Sequence, residues 1–272
     1  MKLRTTLMTL AALALAVGAA RAERLAITEP GGGGLPSEVT AGFAEVSVDT
    51  GEDAVVMLLR LHEGTDEAEL EAAMAGVNAA LLTETGFAAA VGDLFEVADL
   101  LMEVHPDGSA VGAELEPGRY AVEYAVWPEE GEPESVDYAY FDVVDGRGDP
   151  APAAAATVTM RDFAFEFPAD LRAGRRTLRV VNEGEQLHHM VLIRLADGKT
   201  LDDLIAWMET EDGPPPGEEV GMVGVFGPGE TVYRAFDLTP GDYVAVCFIP
   251  DYLGDGAPHL MHGMIQAFTV GE

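Results

Sequence analysis

The sequence predicts a mainly β protein built from two tandem Greek-key β-sandwich domains, each with a short helical insert. Three observations carry this prediction. One arrangement of motifs occurs twice in the same order, most of each copy consists of short β-type runs punctuated by Gly and Pro, and each copy has a helical pattern at the same place.

The duplication rests on four matches. Residues 35–42 echo 167–174, and 57–61 match 191–195, each of the latter pair preceding an acidic, helix-like stretch. Residues 115–120 match 238–243, both centred on Pro-Gly and closing on Tyr; residues 141–144 echo 268–271. Between the copies, residues 145–156 are rich in Gly, Pro and Ala and read as a linker. The organisation expected is therefore a leader at 1–22, a first domain at 23–144, the linker at 145–156 and a second domain at 157–272.

In the second copy the segments 177–181, 190–195, 231–238, 243–249 and 265–270 are rich in β-branched and aromatic residues, with turn residues between them. Thr200 suits the N-cap of a helix through Leu201, Leu204, Ile205 and Met208, which are apolar at helical spacing. The first copy has its counterpart at about residues 66–82. Short antiparallel strands with one inserted helix point to a sandwich or Greek-key barrel.

The N-terminus is laid out as a secretory signal: Lys2 and Arg4, an apolar run at 7–19, then Ala20-Arg21-Ala22. That run is short for a membrane span and no second candidate follows, so an extracytoplasmic chain starting near Glu23 is expected, with no membrane insertion after cleavage. Losing Lys2, Arg4 and Arg21 leaves 12 basic against 48 acidic side chains, a balance of −36, and Lys199 as the one lysine. Such a charge excludes nucleic acid and anionic membrane surfaces as partners. It suits a saline habitat, because at about 1 M salt the screening length falls to about 3 Å. Cys247 is the only cysteine, so no internal disulfide is possible, and an exported lone thiol needs a reason to persist.

That reason lies in its neighbours. Cys247 closes a β segment, and after a loop come His259, Met261, His262 and Met264. Upstream, a turn with Asn182 and Gly184 leads to His188-His189 at the head of another β segment. Singly, each has an ordinary explanation: a small buried thiol, turn histidines, core methionines. Together, in this order and at these strand ends, they resemble the cupredoxins, in which a strand-ending Cys is followed by a His, a Met five residues later and at once the next strand, with another His from an earlier strand. The resemblance covers residues 157 to 272 and implies one copper ion held by His188, Cys247, His259 and Met264, with His189 and His262 as rival ligands. A thiolate and two imidazoles form a trigonal set with a distant thioether on its axis, so one rigid framework serves Cu(I) and Cu(II). The sequence departs from the small cupredoxins in the eleven residues between Cys247 and His259; the turn-rich stretch 250–256 is expected to bulge outward without moving either end.

On the repeat register His188 faces Ala54 and Cys247 faces Tyr124, and residues 127–140 contain no His, Cys or Met. The first copy therefore reads as a metal-free, cupredoxin-like domain, with His62 and His105 at its surface. No His-X-His pair occurs and the chain has six histidines, which argues against a second, substrate-binding copper cluster and for a non-enzymatic protein. Three functions follow in order: one-electron transfer with an unidentified redox partner protein, extracytoplasmic copper delivery or buffering toward a copper acceptor, and a metal-free interaction module. Arg147-Gly148-Asp149 reads as a chance tripeptide in the linker, and the glycines at 31–34 as a flexible lead-in.

Overall fold

The structure, a computed structural model, describes residues 23–272 except 29–32, 51–53, 84, 107–108, 129–130 and 132. The expected leader lies outside the described residues. The first half runs β1 (Glu23–Ile27), β2 (Glu38–Thr40), β3 (Gly42–Val48), β4 (Ala54–Leu61), α1 (Glu67–Thr83), α2 (Phe87–Val97), β5 (Ala98–Val104), β6 (Val111–Leu115), β7 (Gly118–Val126) and β8 (Ser135–Val144). The second runs β9 (Ala156–Arg161), β10 (Ala164–Glu166), β11 (Gly174–Asn182), β12 (His188–Leu195), α3 (Leu201–Thr210), β13 (Gly217–Phe226), β14 (Thr231–Leu238), β15 (Gly241–Val246) and β16 (Ile265–Val270).

The fold is mainly β, as the alternation of apolar and polar residues dictates: β3 and β4 bury every second side chain along much of their length. The strands form a five-stranded sheet (β2-β8-β7-β4-β5), a four-stranded sheet (β13-β12-β15-β16) and a seven-stranded sheet (β1-β3-β6-β14-β11-β9-β10). The last runs through both halves, because β6 pairs antiparallel with β14 at Val111↔Arg234 and Gly112↔Tyr233. Phe43 of β3 meets Tyr233 of β14 edge to face at 5.3 Å, and one hydrophobic cluster contains residues of both halves.

The repeat register holds strand by strand. The pair Met57↔Glu123 between β4 and β7 falls where Val191↔Val246 falls between β12 and β15. Gly118↔Val143 has its counterpart in Gly241↔Val270, and Thr40↔Val144 in the bridge Arg172↔Gly271. Each copy also ties Tyr to the chain four residues upstream: the Tyr120 hydroxyl donates to Glu116 O at 2.9 Å, the Tyr243 hydroxyl to Thr239 O at 3.0 Å. Their rings stack on Phe141 and Phe268 at 5.4 and 5.5 Å.

α3 starts where its cap predicts, with Thr200 and Asp203 in a reciprocal capping box. α1 matches the expected helix within a residue at each end. The second helix, α2, is an addition: Gly86 marks its start, but it passes straight into β5 with no breaking residue between them. The stretch 145–155 has no regular strand or helix but is held to both halves, through Gly148 N–H to Ala41 O and Ala155 N–H to Thr177 O.

Candidate metal centre

The sequence builds the site from three chain segments. The first is the turn from β11 into β12. Fully buried Asn182 organises it, donating through Nδ2 to Gln186 O (2.8 Å) and Phe226 O (3.2 Å) and accepting from Gly184 N–H (2.9 Å). These bonds deliver His188, also fully buried, at the first position of β12. The second segment is the end of β15, where Cys247 receives its neighbours' backbone N–H groups: His189 and Ile249 both donate to the thiol. The third is a 3-10 turn, His259–His262, followed by Met264 at the head of β16. Met264 is tied to both partners, since its N–H donates to His259 O (3.0 Å) and its carbonyl accepts from Cys247 N–H (3.1 Å).

Three ligand atoms converge. His188 Nδ1 and His259 Nδ1 lie 3.1 Å apart, and Cys247 Sγ lies 3.6 Å from His259 Nδ1 and 4.0 Å from His188 Nδ1. Metal–nitrogen bonds of about 2.0–2.1 Å and metal–sulfur bonds of about 2.3 Å, set trigonally, separate nitrogens by about 3.5 Å and nitrogen from sulfur by about 3.8 Å. The triangle therefore fits one metal ion with shifts of a few tenths of an ångström. All three side chains and Met264 are buried from solvent.

The electrostatics suit neutral imidazoles and a thiol that ionises only with metal. Burial, reinforced by His259, lowers His188 to about 4, against the opposing pull of Asp162; burial lowers His259 as well. Burial pushes the Cys247 thiol up to about 11, so its proton leaves when a cation takes its place. His188 Nε2 donates to Asp162 Oδ1 at 3.0 Å, which keeps the proton on Nε2 and bares Nδ1 toward the centre. Asp162 is itself held by Glu185 N–H (3.0 Å) and Gln186 N–H (3.3 Å). Gly184 is required here, because a Cβ would lie 2.3 Å from Asp162 Oδ1 and 2.7 Å from His188 Nε2.

The structure gathers His188, Cys247 and His259, and separates the two rivals from them. His189 turns the other way, its Nε2 accepting from Phe248 N–H at 2.7 Å; His262 pairs with Asp255 at 2.9 Å. One expectation needs correction and one is met. The stretch 250–256 carries residues 253–256 outward without moving either end. Its ends are bridged at Pro250↔Pro258 and by His259 N–H to Ile249 O (2.8 Å), which pinches the excess off and restores a short path from Cys247 to His259. The excursion leans on the first half, because the Tyr252 ring finds Phe87 of α2 at 5.7 Å while its hydroxyl accepts from Leu187 N–H at 2.9 Å. His62 and His105 are half-buried rather than superficial: His62 pairs with Asp99 at 3.1 Å and His105 with the buried carboxylate of Glu103. Asp162 was not singled out from the sequence. An acid in the turn between β9 and β10, upstream of the histidine turn, was its one signal.

No family model matches this chain and no curated protein matches it. Among solved structures it is similar to a dithionite-reduced auracyanin from Roseiflexus castenholzii (21% identity over 44% of this chain and 100% of that one, TM-score 0.31). It is similar also to auracyanin A of Chloroflexus aurantiacus, titled a "blue" copper protein (22% identity, 36% and 92% covered, TM-score 0.24). A multicopper oxidase from Campylobacter jejuni matches 92% of this chain and 55% of its own at 10% identity and TM-score 0.27. At such scores the likeness adds no argument about the site, which stands on its own residues.

Proposed function

We propose that the protein carries single electrons through one copper ion that His188, Cys247 and His259 would hold, with the buried Met264 as the fourth donor. The observation that supports this most is the convergence of two imidazole nitrogens and one thiol sulfur within 4.0 Å in a buried place. A copper ion there would supply a one-electron Cu(II)/Cu(I) couple. The chain's own work is to hold the ligands still and exclude water. Asp162 fixes the His188 tautomer, and two backbone N–H groups stabilise the sulfur as thiolate. Among the described residues, the one other group of three clustered metal-binding side chains is Asp251, Asp255 and His262, and no helix is long and apolar enough to cross a membrane. We read the protein as extracytoplasmic and non-enzymatic, serving a redox partner protein.

One observation favours copper handling as a second reading: Met261, beside the site on its 3-10 turn, is 70% exposed, and His262 next to it is also exposed. The optical and spin-resonance spectra of the chain loaded with Cu(II) in high salt test both. An intense visible thiolate-to-copper band, lost in Cys247→Ser and retained through redox cycling, is expected. Copper surrendered at once to an acceptor chelate would turn the assignment to delivery. A folded, copper-loaded protein without the band would overturn the site.

A further inference from the structure

We propose that Asp251, Asp255 and His262 form a second metal site, for a divalent first-row ion such as Zn2+, built on the pinched excursion and separate from the buried centre. One ligand atom from each lies within 4.8 Å of the others. His262 Nε2 sits 2.9 Å from Asp255 Oδ1 and 3.7 Å from Asp251 Oδ2. One imidazole with two carboxylates is a borderline donor set, suited to first-row divalent ions rather than to Ca2+.

This is more than a patch of surface acid. Asp251 is buried, and Gln186 Nε2 donates to its Oδ1 at 2.9 Å, which orients the carboxylate and leaves Oδ2 toward His262. The chain makes room for that oxygen with Gly254, where a Cβ would lie 2.0 Å from it. Asp255 is oriented too, accepting from Ala257 N–H at 3.0 Å.

A second, independent observation points to a ligand. His259 is fully buried and its Nε2 has no hydrogen-bond partner among the described residues. Nδ1 of that ring faces Cys247 and His188, so Nε2 lies on the edge away from the buried centre. Phe163 packs against both histidines, at 5.2 Å from His259 and 4.9 Å from His262. A ring nitrogen buried without a hydrogen-bond partner, whether it carries the proton or a lone pair, costs about 1–3 kcal/mol. An ion with three protein ligands keeps open positions for water, and a polar partner on this side of the ring is what His259 Nε2 lacks.

The site stands whether or not the buried centre takes copper. Zn2+ titration calorimetry of the full chain tests it, at about 1 M salt with excess Mg2+ to quench diffuse binding. The natural chain should bind one more equivalent of Zn2+ than Asp255→Asn or His262→Gln, or bind it at least tenfold more tightly. The Asp255 side chain is exposed and that of His262 partly so, and circular dichroism confirms that the variants fold. Asp170→Asn, an exposed acid elsewhere, should change nothing. Equal stoichiometry and affinity in all four chains, or an equal loss in Asp170→Asn, would overturn the proposal.

Discussion

The ends of β7 and β15 occupy one place in two copies of a plan, and they hold opposite contents. In the second half Cys247 and His188 meet in a polar, ligand-bearing core; in the first, the counterpart positions hold Tyr124 and Ala54, which are as completely buried. One step away, Glu123 stands where Val246 stands. It turns its carboxylate under α1, where Tyr138 and Asn78 donate to it. Ladder registers, tyrosine ties and ring stacks survive this exchange. The sandwich therefore does not need the metal centre to form: an aromatic ring fills the volume, and the strands close over either filling.

Asp162→Ala should produce the largest change, by moving the second copy toward the first. With no acceptor for His188 Nε2–H, the ring loses its fixed tautomer, and second-shell losses of this kind cost 10–100-fold in metal affinity, about 1.4–2.7 kcal/mol. Competition titration against a chelator gives the affinity, and nitrogen-15 spectra of the apo chain give the tautomer. An unchanged tautomer would return Asp162 to a merely structural role in its turn.

The next variant acts where the copies meet. Burial raises Glu230 from the ordinary 4.5 to about 7, against the pull of Arg60 in the other half, 3.8 Å away. Between those values the folded chain holds more protons than the unfolded one, so this group's stabilising contribution is complete below about pH 4.5 and is lost as pH rises toward 7. Glu230→Gln should match the natural chain near pH 4.5 and exceed it by about 1–2 kcal/mol above pH 7, a figure reduced for partial exposure. Denaturant melts at the two pH values check this, and identical differences at both would contradict the assignment.

The smallest effect is a matched pair. Tyr120→Phe and Tyr243→Phe each remove a hydroxyl that donates to one carbonyl and accepts the N–H of the same residue. Each should cost about 1 kcal/mol. Equal losses in thermal melts would sharpen the equivalence of the copies; a cost confined to one would break it.

How much of this could be read beforehand follows from the range of the contacts. Strand registers were legible because matched motifs fix them by counting. Three of the four proposed ligands were brought together by their order along the chain, and Met264 lies buried beside them in sequence and backbone bonding. Asp162, Gln186 and the Pro250↔Pro258 bridge were hidden, since each acts on residues far away with no periodic pattern to mark it. β13 escaped notice because Gly217, Gly221 and Gly224 interrupt its apolar run. The joining of β6 to β14 left no sequence trace, for two edges meet through backbone groups that every residue carries.

That joining has a consequence for how either half could live alone. A strand edge is a template for any passing chain, and proteins commonly blunt it with charge, proline or a covering loop. Here each copy hides an edge with the other. A C-terminal half cut free within residues 145–156 would present β14 open along one side where β6 now pairs with it. Such an edge invites pairing with its own kind, so the half without ligands serves the other as its edge cover.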